Sequence, residues 1–339
     1  MKKLLSLILV LLLALSSFAL AEEVIVNDKG VVENPEAIVA GDKELMFWSL
    51  FSGGEGSVME SIVANYNATN PEYTVRNVQL DWGEYYTKLT TAVAVGKGPE
   101  IGISHLAKLP ELYDLGVVTA LDEPASKIDF DWTMVNQNNL AACTIDGSIY
   151  AVPLDTHPNV LYYNKEACDK IGAQPPQSWG DIMDLVPKFN AKNIAPFSLG
   201  GQSRWTNMMW LEFLFDRIGG GETFQAIFDG EKDAWSNPTA IDALTKTQDL
   251  IRAKGFVKGF SSITADSNAD QALLYTGKAA MMLHGTWTYG SMKNDGGDFL
   301  SSGKLGWMNF PVIEGGKGDP SNTVGNPGQY LSISSKATP

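Results

Sequence analysis

Short apolar runs alternate with longer stretches of helical periodicity between Leu45 and Val312, and this alternation restricts the fold more than any other feature of the chain. Residues 45–50 read as a buried strand. A helix follows, with Ser57 and Glu60 spaced as a capping box and Met59, Ile62, Val63 and Tyr66 on one face. Residues 74–80 read as the next strand, and Asp81 with Glu84 opens a helix whose apolar face is Trp82, Tyr85, Leu89 and Val93. Residues 101–103 form a third short strand. After Pro153 the pattern resumes: a strand over 160–163, a helix over 165–171, and a helix opened by Ser178 and Asp181. A further helix spans 205–218, and the next is capped by Asn237-Pro238 and carries Ile241, Leu244, Gln248 and Ile251. Strands over 279–283 and 305–312 complete the series. Repeated strand–helix order predicts an α/β fold with parallel core sheets. At 339 residues the chain is too long for one ordinary core. It should form two lobes of roughly 150 residues each.

The first residues read as an export signal. Lys2 and Lys3 precede an apolar run over 4–15 broken only by Ser6, and the small-residue site Ala19-Leu20-Ala21 follows. The run is shorter than the roughly 20 residues a bilayer span needs, which favours a cleaved peptide over an anchor. Residues 1–21 are therefore expected to be removed, leaving a periplasmic or secreted chain, and no cysteine follows the run to carry a lipid. A net charge of −14 disfavours nucleic acid and anionic membrane as partners and suits a neutral ligand. Cys143 and Cys168 leave a disulfide and two buried thiols equally open.

Catalytic motifs are scarce. The histidines are His105, His157 and His284, and no H-E-x-x-H, C-x-x-C, G-x-S-x-G or phosphate loop occurs. Gly54-Glu55-Gly56 lacks the third glycine of a dinucleotide loop. Asp266, Asn268 and Asp270 begin like a calcium loop, but Gln271 and Gly277 stand where glycine and glutamate are required. Neither a metal nor a cofactor is expected. A glycosidase needs only two carboxylates, so a secreted carbohydrate-active enzyme stands as the alternative to a binding protein. A surface adhesin would need repeats or a wall anchor, and the sequence has neither.

Several strings, in order, carry a family resemblance. Trp82-Gly83-Glu84-Tyr85-Tyr86-Thr87-Lys88-Leu89 precedes Gly96-Lys97-Gly98-Pro99-Glu100, with Glu100 where aspartate is usual. Asp146-Gly147-Ser148-Ile149-Tyr150-Ala151-Val152-Pro153, Leu161-Tyr162-Tyr163-Asn164-Lys165, Pro176 with Trp179, and Gly277-Lys278-Ala279-Ala280-Met281 before Gly285-Thr286-Trp287 follow. The chain resembles the extracellular solute-binding proteins of sugar ABC importers, the group that includes maltose-binding protein. The resemblance implies a two-lobe periplasmic-binding-protein-like fold with a ligand cleft between the lobes. It also implies a carbohydrate ligand, hinge closure on binding, membrane permease subunits as partners and a monomer. Lobe 1 is expected over 22–155 plus about 312–332, and lobe 2 over 156–311 plus 333–339, truncated where family members usually continue with further helices.

A sugar offers hydroxyls at its edges and C–H groups on its faces, so its receptor needs aromatic platforms ringed by polar groups. Open α/β sheets carry such groups at the carboxyl ends of strands. The candidates there are Trp48, Ser49 and Ser52 after the first strand and His105 after the third. Trp205 and Asn207 enter a helix from a polar loop, and Gly325 and Gln329 bound a glycine-bearing loop. The resemblance adds Asp155, Thr156 and His157 at the lobe crossing, and Trp287 as a stacking platform.

Overall fold

The computed structural model describes residues 23–28, 30–51, 53–326 and 328–337. The expected signal peptide lies outside them. Of the described residues, 23–51, 59–152 and 330–337 form one compact unit, and 53–58 with 153–329 form a second. In chain order the strands are β1 (Glu44–Ser49), β2 (Thr74–Gln79), β3 (Ile101–His105), β4 (Thr144–Ile145), β5 (Ser148–Ile149) and β6 (Val152–Pro153). They continue as β7 (His157–Asn164), β8 (Ala195–Ser198), β9 (Ala279–Gly285), β10 (Leu305–Met308), β11 (Gly325–Asn326) and β12 (Gln329–Ile333).

The sheet of the first unit runs β2-β1-β3-β12-β6, with β1 parallel to both β2 and β3. Phe47, Trp48, Val78 and Ile103 are buried in its strands. The buried phenol of Tyr85, at the start of the helix Tyr85–Ala94, donates to Ile103 O at 2.9 Å and accepts from Ile103 N at 2.6 Å. Glu100 ties β1 down, its carboxylate accepting from Met46 N at 2.7 Å. The first helix, Gly53–Ala68, starts ahead of Ser57, which is therefore an interior residue and no cap. Of the face expected to pack, Met59 is buried while Ile62 and Tyr66 are exposed.

The second unit holds a mixed sheet, β10-β7-β9-β8, with β11 on β7. Among the described strands of this sheet only the β8–β9 pair is parallel; β7 runs antiparallel to β9, β10 and β11. The expected parallel core thus holds for β1–β3 and fails here, because strand direction depends on where a connection returns and not on the strand's own residues. Leu161, Trp179, Ile182, Phe189, Phe197, Trp210, Phe213 and Phe310 are among the residues of its main core. Ser178 and Asp181 form the capping box that their spacing predicts. Asn237 caps the helix Pro238–Arg252 through Ala240 N. That helix buries Ala240, Ala243 and Leu250 and leaves Ile241, Leu244 and Ile251 exposed, the reverse of the expected face.

The domain boundaries also differ from expectation. Residues 312–329 lie in the second unit and 333–337 in the first. Arg217, 2 % exposed, explains the former: its guanidinium pairs with Asp216 and donates to the carbonyls of Phe310, Asp319, Pro320 and Asn322. A buried cation with several donors holds the segment it satisfies. Cys143 and Cys168 are free and buried, and burial pushes both thiols up to about 11. Among the described residues no helix is long and apolar enough to cross a membrane.

Candidate functional site

Strand pairing assembles the richest site, which lies in the second unit. Because β7 and β9 are antiparallel with Asn159 opposite Gly285, the beginning of β7 and the end of β9 share one end of the sheet. His157 and Trp287 are thereby neighbours, their rings 5.3 Å apart and edge to face. The β8–β9 pairing is parallel, so β8 ends on the same side, and the loop after it leads to Trp205 at the head of the helix Trp205–Gly219. The Trp205 and Trp287 rings lie 5.9 Å apart, inclined by 54°. Trp205 is 36 % exposed, and its indole N–H donates to Asp266 Oδ1 at 2.9 Å, which fixes the ring. Gly285 makes the fold of Trp287 possible: a Cβ there would lie 1.8 Å from the indole.

A polar group adjoins the rings. His157 Nε2 is 3.1 Å from Asp155 Oδ2 and 3.3 Å from Glu55 Oε1. Asp155 Oδ1 accepts from the backbone N–H of Gln329 at 2.7 Å. The Gln329 side chain, oriented so that each atom meets a suitable partner, turns its nitrogen to Asp155 and lies 3.0 Å from His157 Nε2. Burial raises the Glu55 carboxyl to about 7, opposed by His157 and reinforced by Asp155. Burial alone would lower His157, but the hydrogen bond and charge of Asp155, then the charge of Glu55, outweigh it and raise the imidazole. Glu55, Asp155 and His157 also bring ligand atoms within 4.8 Å of one another, a donor set of metal-binding composition. Both carboxylates face one imidazole nitrogen, and the same arrangement presents acceptors and a donor to hydroxyl groups.

The first unit holds a second aromatic–polar group. Tyr86 OH meets His105 Nδ1 and also accepts from His105 N at 3.0 Å. The Trp82 ring lies 5.0 Å from the His105 ring and is 38 % exposed. Burial raises the Tyr86 phenol well above its ordinary value, so it stays a neutral donor.

Of the expected site residues, Asp155, His157, Trp205, Trp287 and Gln329 come together, with Thr156 exposed between the first two. His105 lies in the other unit's group. Ser52 is outside the described residues. Trp48 and Ser49 are buried at 2 % and 0 %, a correction with a plain cause: both lie within β1, an interior strand of its sheet, and not beyond its end. Asn207 spends its amide on Gly201 O and Arg204 O, which holds the loop before its helix. Gly325 pairs with Pro158, and a Cβ there would meet His157 O at 2.5 Å, so the glycine serves close strand approach. Sequence reasoning missed Glu55, which stands in an incomplete glycine loop, and Tyr86, which stands in a family string next to the helical face. The helix-start position of Glu55 was the available signal.

The comparisons with known proteins agree with this architecture. The chain is 27 % identical over 282 residues to the "Probable sugar-binding periplasmic protein" of Brucella melitensis biotype 1, covering 80 % of this chain and 63 % of that one. To the protein of the same name from Rhizobium meliloti it is 27 % identical over 292 residues, covering 82 % and 66 %. It thus spans less than two thirds of the length of these relatives. A structure from work on xylan utilization by the thermophilic bacterium Caldanaerobius polysaccharolyticus matches at TM-score 0.77 and 28 % identity, over 87 % of this chain and 74 % of that one. A chitin oligosaccharide binding protein shares the fold at TM-score 0.72 and 22 % identity, over 87 % and 73 %. The model of the bacterial extracellular solute-binding proteins matches residues 52–338, and the chain belongs to that family.

Proposed function

We propose that this protein binds a neutral sugar or oligosaccharide outside the cytoplasm, leaves it chemically unchanged, and passes it to the membrane permease of an ABC importer. The observation that carries the reading is the pair of inclined indoles, Trp205 and Trp287, beside the Glu55–Asp155–His157–Gln329 group. Indole faces take the C–H faces of a pyranose, and the carboxylates and imidazole take its hydroxyls. The names of the relatives support a receptor over the glycosidase alternative. The carboxylates of the group also share one imidazole, an arrangement suited to holding hydroxyls and not to flanking a scissile bond. His105, Tyr86 and Trp82 are proposed as a further aromatic–polar surface for carbohydrate on the first unit.

A thermal-shift screen of xylo-, malto- and chito-oligosaccharides tests the reading, since a compound that binds only the folded state raises its melting temperature. Xylo-oligosaccharides come first, given the 28 % identical structure from the xylan work. The hit should lose affinity by roughly ten- to hundredfold in Trp287→Ala, the equivalent of about 1–3 kcal/mol. Unchanged affinity in that variant, or release of shortened oligosaccharides by the pure protein, overturns the proposal.

A further inference from the structure

Behind the two indoles lies a buried polar pair that the binding reading does not use. His284 ends an otherwise apolar, wholly buried run of β9, and Asp270 lies in the first turn of the helix Ala269–Tyr275. Both side chains are 1 % exposed, and His284 Nε2 faces Asp270 Oδ2 at 3.4 Å. Among the described residues neither atom has a hydrogen-bond partner, and each is the other's electrostatic neighbour. An acid on a helix and an imidazole on an apolar strand are costly to bury together, and shape alone would be met by apolar residues.

The geometry around the pair supplies a reason. His284 Nδ1 accepts from Gly285 N at 3.1 Å, so the ring hydrogen is on Nε2, the nitrogen on the Asp270 side of the ring. Asp270 Oδ1 is committed to Gln271 N at 2.9 Å, which leaves Oδ2 for the histidine. The imidazole held in this way meets both indoles edge-on, Trp205 at 5.2 Å and 85° and Trp287 at 5.3 Å and 73°. Its Nδ1 also fixes the Gly285 amide, where the chain turns from β9 toward Trp287. One ring therefore touches each of the two platforms and the turn that delivers one of them.

We infer that Asp270 and His284 are positioning residues: the carboxylate locks the orientation of the imidazole, and the imidazole sets the mutual inclination of Trp205 and Trp287. The pair acts through the indoles and does not touch the sugar. The inference rests on the proposed role of those indoles, and its test separates the two.

The variant is Asp270→Asn, nearly the same shape. With its carbonyl oxygen on Gln271 N, its amide turns an NH₂ toward His284 Nε2 in place of a carboxylate oxygen, so the ring loses its lock. Affinity for xylotriose, or for maltotriose where xylotriose gives no thermal shift, is measured in the wild type, D270N, W287A and the double variant. D270N should weaken binding about tenfold in the wild-type background and less than about twofold in the W287A background, since coupled residues are non-additive. The near-ultraviolet circular dichroism of the sugar-free protein should change in its indole bands. Equal effects in both backgrounds, or no effect with unchanged indole bands, overturn the inference. A W287A protein that binds as tightly as wild type instead overturns the platform reading. If D270N does not fold, His284→Phe, which keeps an edge-on ring and removes both nitrogens, takes its place in the same cycle with the same two outcomes.

Discussion

The two units place tryptophan near the end of a strand in opposite ways. In the first, Trp48 is the fifth residue of β1 and is 2 % exposed. In the second, Trp287 follows β9 by two residues, after a glycine, and is only partly buried against the core beside two histidines and Trp205. A side chain within an interior strand of an α/β sheet points into a covering layer on either face. One beyond the strand's end is free of that constraint, and Gly285 removes the steric bar to folding back. Position relative to the last paired residue, and not aromatic character, separates the core residue from the proposed platform.

The largest expected effect breaks or upholds this comparison directly. Trp48→Ala should cost about 3–5 kcal/mol of folding stability through the cavity it leaves. Trp287→Ala should leave the sugar-free melting temperature near wild type. Denaturant or thermal unfolding of the two variants side by side checks it, and equal losses would erase the distinction.

A smaller effect distinguishes the units by pH. Glu55 is held at about 7 against an ordinary 4.5, so between those values the folded state holds the proton more tightly than the unfolded chain, and stability falls as pH rises. His157 is raised as well, and the stability it contributes at low pH is lost as pH rises through its folded value, in the same direction. Glu55→Gln should flatten the melting temperature between about pH 5 and 8 and stabilise the protein at pH 8, by at most about 3 kcal/mol. A profile as steep as that of wild type would place the titration elsewhere, with Glu212, which burial also raises to about 7, the next variant to measure.

The smallest expected effect concerns the helix whose face is reversed. Ile241, 54 % exposed, should tolerate substitution by serine within about 0.5 kcal/mol. A loss above about 2 kcal/mol would mean that Ile241 packs as the periodicity suggested.

The sequence alone determined the fold class, the strands β1, β2, β3, β7 and β9 to within a few residues, the Ser178 and Asn237 caps, and the family resemblance. These are local properties: propensity, capping and turn chemistry act over a few residues and are written in order along the chain. The residues that the fold gathers into the candidate site were legible in part. Asp155, His157, Trp205 and Trp287 could be named, because strand ends and chain crossings recur at motif positions. Trp48 against Trp287, Glu55 at His157, and Asp270 behind His284 could not, because each depends on which distant segments the sheet brings together. Tertiary structure also decided that β7 runs antiparallel to β9, and with it that His157 and Trp287 meet. Strand direction and burial are set by packing summed over the whole unit, which no short window of sequence contains.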